Sequence, residues 1–286
     1  MKSKLIIGGA QFGSNYGVSN NLGQVSKQNI ISILDYAYSE GIDIIDTAKS
    51  YGDSESVIGD YIGSKEKPTF KVITKIGQVN NDLFKQVRDS IEKLSVDSVS
   101  LLTHSTKLYL DYYYQDEIQE LKNKKYISKV GVSVYTQKEI EKILSSDLTP
   151  DIIQLPINIL DTRLYHSGII SELSRIGIDI HARSIFLQGL FFLPNELLIK
   201  RFPDVVPSIN KLQKISNDIG CTIGEISLLW VNSMNEISKI IIGIDKVSQL
   251  KENLNTLSKN LQYSSYERAL EIKYENNNIL NPSLWV

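Results

Sequence analysis

With 286 residues, 42% of them hydrophobic, the chain is long enough for a large core and within the range of a single α/β barrel. A formal net charge of -2, a charged fraction of 22% and no block of basic residues argue against nucleic acid or an anionic membrane surface as partner. The single cysteine, Cys221, excludes an internal disulfide and a cysteine-built metal site, so it reads as a small packing residue and no metal is expected.

The chain opens MKSKLIIGGAQFG. Its positive start is followed by an apolar run too short for a signal peptide, and no later run approaches the ~18 apolar residues of a membrane helix. A cytoplasmic protein is expected. From here, short β-branched runs recur: LIIG (5–8), IDII (42–45), KVIT (71–74), SVSLLT (98–103), KVGVS (129–133), DIIQL (151–155), IDIHA (178–182) and KIIIG (239–243). Each is bounded by Gly, Asp, Ser or Thr, as buried parallel strands are. Amphipathic stretches separate them. QNIISILDYAYSEG (28–41) puts Ile30, Ile33, Leu34 and Ala37 on one face and stops at Gly41; DLFKQVRDSIEKL, TQKEIEKIL, SINKLQKISNDIG and VSQLKENLNTL repeat the pattern. TIGEISLLWVNSM reads as a more buried helix.

Strand–helix alternation implies a parallel sheet covered by helices, and eight repeats suggest a closed (β/α)8 TIM barrel rather than an open sheet. GGAQFG fails the spacing of a dinucleotide-binding glycine fingerprint, and no Walker A motif is present. With no linker or low-complexity segment, residues 1–286 read as one domain. The tail beyond about Asn260 is not needed for closure and is expected to cover one end.

Active sites in such barrels lie at the C-terminal ends of the strands. Asp46 and Tyr51 follow the second strand, Lys75 ends the third and His104 the fourth. Each alone has an ordinary reading: a turn carboxylate, one of 15 tyrosines, a solvated lysine, a packed histidine. Together they make a proton-transfer device. A phenol titrates near ~10 and is a poor acid at neutral pH. A buried Lys75 ammonium is expected to lower the Tyr51 pKa, Asp46 to offset the cost of burying Lys75, and His104 to donate to a carbonyl oxygen. Protonating an oxygen suits a carbonyl that accepts hydride, and the hydride source implied is a nicotinamide.

GIDIIDTAKSYGDSESVIGDYI (41–62) closely resembles the signature of the aldo-keto reductase superfamily. VITK (72–75) and LLTH (101–104) supply its lysine and histidine at the matching strand exits. GVSVYT, IIQLPIN, ARSIFLQG and IIIGIDKVSQLKENL also look like family segments in the family's order, so the resemblance spans essentially the whole chain. It implies an NAD(P)H-dependent aldo-keto reductase that reduces an aldehyde or ketone. Tyr51 would be the proton donor, Lys75 and Asp46 its partners, and His104 the group that orients the carbonyl.

By the same resemblance Ser133 and Gln154 hold the nicotinamide carboxamide. Arg183 stands where many members place a stacking aromatic, and Ser184, Leu187 and Gly189 wrap the pyrophosphate. Gly243, Lys246, Gln249, Glu252 and Asn253 belong to the adenosine end. Asp245 falls where a basic residue or hydroxyl is common, but the family's habit places NADP(H) ahead of NAD(H). For substrate, Tyr109, Tyr112 and Trp285 are candidate walls, with Tyr113 and Tyr114 on the same expected loop; the ordinary reading is that two or three of these tyrosines pack under the loop or start the next helix. The GGAQFGSNYG and RSIFLQG segments look most like members linked with polysaccharide and nucleotide-sugar metabolism, so a keto-sugar or sugar aldehyde is expected as the small-molecule partner. Two alternatives remain open: a cofactor-binding regulatory subunit with little turnover, and a cofactor-free lyase or isomerase using Lys75 as a Schiff-base amine.

Overall fold

A computed structural model describes residues 4–66, 70–77 and 82–285. Eight parallel strands close on themselves in sequence order: β1 (Leu5–Gly8), β2 (Ile44–Asp46), β3 (Lys71–Ile76), β4 (Val99–Thr103), β5 (Ile127–Ser133), β6 (Ile152–Pro156), β7 (Asp179–Arg183) and β8 (Ile237–Gly243). Closure is made where Leu5 to Gly8 pair with Ile240 to Gly243. The fold is therefore a (β/α)8 barrel, as the alternation of the sequence implies.

The helices form where the apolar spacing requires them. Lys27–Ser39 buries Ile30, Ile33, Leu34 and Ala37, the stripe seen in the sequence. Ser26 caps it by accepting from the Asn29 N–H. Gln137–Leu144 and Ile223–Ser233 each start with a capping box, Thr136 with Glu139 and Thr222 with Glu225. Ile223–Ser233 is buried along most of its length, Trp230 included.

Strand pleating decides what the barrel mouth displays. Side chains alternate between the barrel interior and the helical layer. Ile6, Ile73, Leu102 and Ile152, with Ile44 and Ile241 against them, form a separate apolar cluster that fills the interior. Two residues further along the same strands, on the same face, come Gly8, Asp46, Lys75, His104, Gln154 and Gly243. Ser133 and Arg183 end β5 and β7. These eight residues, seven on the strands and His104 directly after β4, all line one cleft at the C-terminal mouth. The barrel thus changes from apolar to polar within one pleat.

The tail turns into a helix at Tyr263–Leu270, which lies beside the helix Val206–Ile219, where Arg268 pairs with Asp218 at 2.8 Å. Its last turns reach the loops after β6 and β7: Arg163 donates to Asn277, and Trp285 packs on Phe202 with ring centres 4.8 Å apart. The tail therefore flanks the C-terminal end of the barrel. Among the described residues no helix is long and apolar enough to cross a membrane.

Candidate active site

The Tyr51 turn is built by backbone contacts. Past β2, the Thr47 N–H donates to Ile73 O at 2.7 Å and the Lys49 N–H to Lys75 O at 3.1 Å, so the chain follows β3 before turning. The Tyr51 N–H closes the turn on Ala48 O at 3.0 Å. Gly52 adopts φ +54°, a conformation L side chains rarely take. The Tyr51 carbonyl abuts the short helical turn Ala10–Gly13, and a Cβ added to Gly13 would fall 1.7 Å from that oxygen. Tyr51 is thereby fixed by glycine on both sides of one close approach.

Lys75 lies behind the phenol, with its Nζ 5.3 Å from the Tyr51 ring centre and 2% of its side chain exposed. It donates to Asp46 Oδ1 and, at 2.8 Å, to Thr47 O. Asp46 receives a second hydrogen bond from Gln154 Nε2. Burial lowers the Lys75 pKa, and Asp46 acts against that shift. The His104 N–H donates to Ile76 O at 3.0 Å, continuing the ladder and placing the imidazole 6.4 Å from the Tyr51 ring, centre to centre. Desolvation by the cleft walls, then Lys75 and Arg183, push the His104 pKa down to about 4. The imidazole is therefore neutral at neutral pH and donates from one nitrogen.

One expectation is reversed. The Tyr51 pKa is raised, first by burial and then by Asp46. The cation that pulls it downward is Arg183 rather than Lys75. Desolvating a phenolate outweighs the cation, and Lys75 is already committed to Asp46. At neutral pH Tyr51 holds its proton, which is the form a proton donor needs.

Arg183 donates Nε–H to Ser133 Oγ (3.2 Å), Nη1–H to Ser184 Oγ (3.3 Å) and Nη2–H to Val134 O (2.9 Å). Its Cζ lies over the Tyr135 ring, 4.1 Å from the ring centre. Beyond it the chain enters a strained segment: Ser184, Leu187 and Gln188 all have positive φ, between 47° and 60°. Gly189 comes next at φ +90°, where a Cβ would fall 2.1 Å from Ser19 Oγ. The Val18 N–H donates to Gln188 O at 2.9 Å, so the loops after β1 and β7 are pinned together over the cleft.

At the β8 end, Gly243, Asp245, Gln249, Glu252 and Asn253 line the cleft. The Asp245 N–H donates to Gln249 Oε1 at 2.7 Å, while Asp245 Oδ1 is buried without a hydrogen-bond partner. Burial raises the Asp245 pKa.

The structure brings together most of the residues singled out in the sequence. Asp46, Tyr51, Lys75, His104, Ser133, Gln154, Arg183, Ser184, Gly189, Gly243, Gln249, Glu252 and Asn253 border a cleft of about 630 Å³. Leu187 is buried beneath the loop, and Lys246 is exposed outside the lining.

The three candidate substrate residues fall elsewhere. Tyr109 is 2% exposed, in a short helix (Thr106–Tyr109) packed in the core. Tyr112 is exposed and opens the helix Tyr112–Asn123, its ring against Tyr113. Trp285 packs on Phe202, and its Nε1–H donates to Ile279 O. The expected tyrosine loop is thus mostly helix, because Asp111 caps Tyr113 and Tyr114.

Sequence reasoning missed Gln11, Tyr16, Asn20, Tyr135 and Gln188, which line the same cleft. Tyr16 is a second phenol whose pKa burial raises, its ring 6.5 Å from that of Tyr51. The exits of β1 and β5 carry the same signal as those of β2 to β4, and the polar residues just past them are Gln11, Tyr16 and Tyr135.

A barrel mouth carrying a buried lysine–aspartate pair behind a phenol, an imidazole beside it and a long cleft leading to β8 defines a barrel oxidoreductase of the aldo-keto type. Residues 4–273 match the Aldo/keto reductase family, and the chain belongs to it. It is 25% identical over 281 residues to the NADH-specific methylglyoxal reductase of Escherichia coli, covering 84% of this chain and 86% of that protein. A 24% match over 163 residues to the L-glyceraldehyde 3-phosphate reductase of Escherichia coli covers 49% and 47%. Among solved structures, the holo form of aldo-keto reductase AKR11C1 from Bacillus halodurans superposes with a TM-score of 0.77 at 18% identity, over 96% and 95% of the two chains. The thermostable aldo-keto reductase Tm1743 does so with a TM-score of 0.73 at 20% identity, over 94% and 95%.

Proposed function

We propose that this protein reduces an aldehyde or ketone to an alcohol at Tyr51, using NADH. The observation that carries the reading is the Tyr51 phenol held against the buried Lys75–Asp46 pair in a cleft of about 630 Å³ whose lining runs on to Asn253 past β8. The chain also fits the cofactor chemically. Gln154 spends its Nε2 on Asp46 and leaves Oε1 buried and without a partner, an acceptor suited to a carboxamide N–H. When bound, the reduced nicotinamide supplies the hydride.

The chain's own part is positioning and proton transfer. His104, neutral, donates one N–H to the substrate oxygen and directs it at Tyr51. As negative charge develops on that oxygen, the Tyr51 O–H bond breaks and its proton completes the alcohol. The phenolate left behind faces Lys75 and Arg183, and a proton from water restores it. Lys75 is buried and already bonded to Asp46 and Thr47 O, which disfavours its use as a Schiff-base amine.

NADH is favoured over NADPH by Asp245. Its unpartnered oxygen suits a ribose hydroxyl donor and repels a 2′-phosphate, while Lys246, the one cation expected to hold that phosphate, is exposed outside the cleft. For substrate, Tyr16, Tyr51 and Tyr135 with the amide of Gln188 offer the aromatic faces and polar edges that suit a sugar carbonyl. The test is reductive turnover of sugar aldehydes and ketoses by wild type and Tyr51→Phe with NADH. The reading expects turnover in the first alone, with nucleotide binding kept in both; equal rates would refute the role of Tyr51.

A further inference from the structure

The barrel has a second cavity, of about 700 Å³, at the end where the strands begin. It shares no lining residue with the cleft. Ile73 and Ile152, members of the apolar cluster that fills the interior, stand between it and the Tyr51 end. Its most buried polar group is His181, which is 4% exposed and has no hydrogen-bond partner on Nδ1 among the described residues. A buried polar nitrogen left without a protein partner marks a place where a bound group can supply one.

Around His181 the cavity offers two kinds of contact. The first is cationic. Lys71, Lys129 and Lys239 come from the first halves of β3, β5 and β8, with Asp179 at the start of β7. The charged groups that act on His181 are Asp179, Lys129, Lys239 and, from the other end of the interior, Lys75, so cations dominate its surroundings. Lys129 bonds Asp179, but both side chains are partly exposed. Such a pair contributes little, and its ammonium can be shared with a ligand. At the rim Lys65 is paired with Asp35 at 2.7 Å, and Glu66 and Asp97 are the other charges.

The second kind comes from serines. Ser128 Oγ donates to Val99 O at 3.2 Å, so in the 3.2 Å contact between Ser100 and Ser128 the proton belongs to Ser100. Ser238 Oγ donates to Ile180 O at 3.0 Å. All three hydroxyl protons are committed inside the protein, and the oxygens keep only lone pairs for the cavity. They suit hydroxyl donors on a ligand, whereas the lysines suit its negative charge. His181 Nδ1 donates or accepts according to its tautomer.

We propose that this cavity is a binding site for a small hydroxylated anion, its phosphate or carboxylate held by Lys71 and Lys129 and its hydroxyls by Ser100, Ser128, Ser238 and His181. The site lies apart from the proposed chemistry and does not rest on it.

The three histidines of the chain report on three places: His104 on the cleft, His181 on this cavity and His166 on the exposed surface. The test follows their ring proton and nitrogen resonances as the purified protein is titrated with glycerol 3-phosphate, glycerate, inorganic phosphate and glycerol. His181→Gln assigns the signal. Glycerol 3-phosphate or glycerate is expected to shift His181 saturably while His104 and His166 stay put, and the tighter of the two identifies the anionic group. Inorganic phosphate should bind about five- to tenfold more weakly, for want of the carbon-borne hydroxyls. The double variant Lys71→Gln/Lys129→Gln should weaken binding by about tenfold or more, with the His104 and His166 signals showing that it is folded. Ser100→Ala should weaken glycerol 3-phosphate but not inorganic phosphate.

A His181 signal indifferent to all four compounds overturns the proposal, as does binding that the double lysine variant leaves unchanged. Shifts confined to His104 place the probes in the cleft and overturn it too. Glycerol binding as tightly as its phosphate would overturn the anion, and inorganic phosphate binding as tightly as glycerol 3-phosphate would reduce the site to an adventitious ion only.

Discussion

The two ends of the cleft are built differently and carry opposite charge. At the Tyr51 end every residue proposed to react, except Tyr51 itself, sits on or directly after a strand, one pleat above an apolar layer, and the net balance of Asp46, Lys75 and Arg183 is positive. At the β8 end the lining comes from a loop, the helix Val247–Leu257 and the start of the helix Ile223–Ser233; Glu225 there is paired with Lys259, and Asp245 and Glu252 are its other charges. The barrel fixes the first end through eight strands, whereas local turns fix the second. Chemistry is therefore expected to depend on the first end and cofactor choice on the second.

The largest effect that separates them is Tyr51→Phe. Loss of a positioned proton donor is expected to cut turnover by about 10²- to 10⁴-fold. NADH affinity, which rests on Gln154 and on the β8 end rather than on the phenol, should stay near the wild-type value in a fluorescence titration. A parallel loss of binding would show that the two ends are not independent.

Next comes the buried pair. Lys75→Met leaves Asp46 charged and unpaired, which is expected to cost about 3–5 kcal/mol in urea unfolding. The double variant Asp46→Asn/Lys75→Met should recover much of that stability without recovering turnover. Equal instability of the single and double variants would show that the pair's packing, not its charge balance, holds the barrel mouth.

Below the polar ring, inside the barrel, His181 is 4% exposed with Nδ1 unpartnered. Burial pushes its pKa down to about 4; Asp179 acts against this, and Lys129, Lys239 and Lys75 reinforce it. The folded state therefore binds fewer protons than the unfolded chain between that value and the ordinary histidine pKa near ~6.5. Its contribution is fully present above about pH 6.5 and is lost as pH falls toward 4, by about 3 kcal/mol at most. His181→Gln should flatten the acid limb of the stability profile relative to wild type. An unchanged slope would place the titration elsewhere.

The smallest expected effect lies at the β8 end. Asp245→Ser removes the carboxylate proposed to face the 2′ position and should improve NADPH binding relative to NADH by about tenfold, near 1.4 kcal/mol. A variant that still rejects NADPH would move the discrimination to Gln249 or Glu252.

The same contrast explains what was legible in the sequence. Asp46, Lys75 and His104 could be found because strand exits are marked by β-branched runs and the pleat fixes which residue faces inward. The eight strands were placed to within two residues for the same reason, and the family segments brought Ser133, Gln154 and Arg183 with them. Tyr109 and Tyr112 were misplaced because a tyrosine-rich run looks like a loop until Asp111 caps it into a helix. Trp285 and Lys246 depend on how a tail and a turn settle against distant elements, which no local pattern records. The upward shift of the Tyr51 pKa was hidden because it depends on how deeply the phenol is buried, not on which residues surround it.

The central claim is that this barrel mouth holds a nicotinamide dinucleotide against Tyr51. The most direct measurement is a titration of the purified protein with NADH, and in parallel NADPH, read by the fluorescence of the reduced nicotinamide. Saturable binding of one equivalent is expected, tighter for NADH and weakened by Gln154→Leu. No binding of either nucleotide, or binding indifferent to Gln154, would contradict the account.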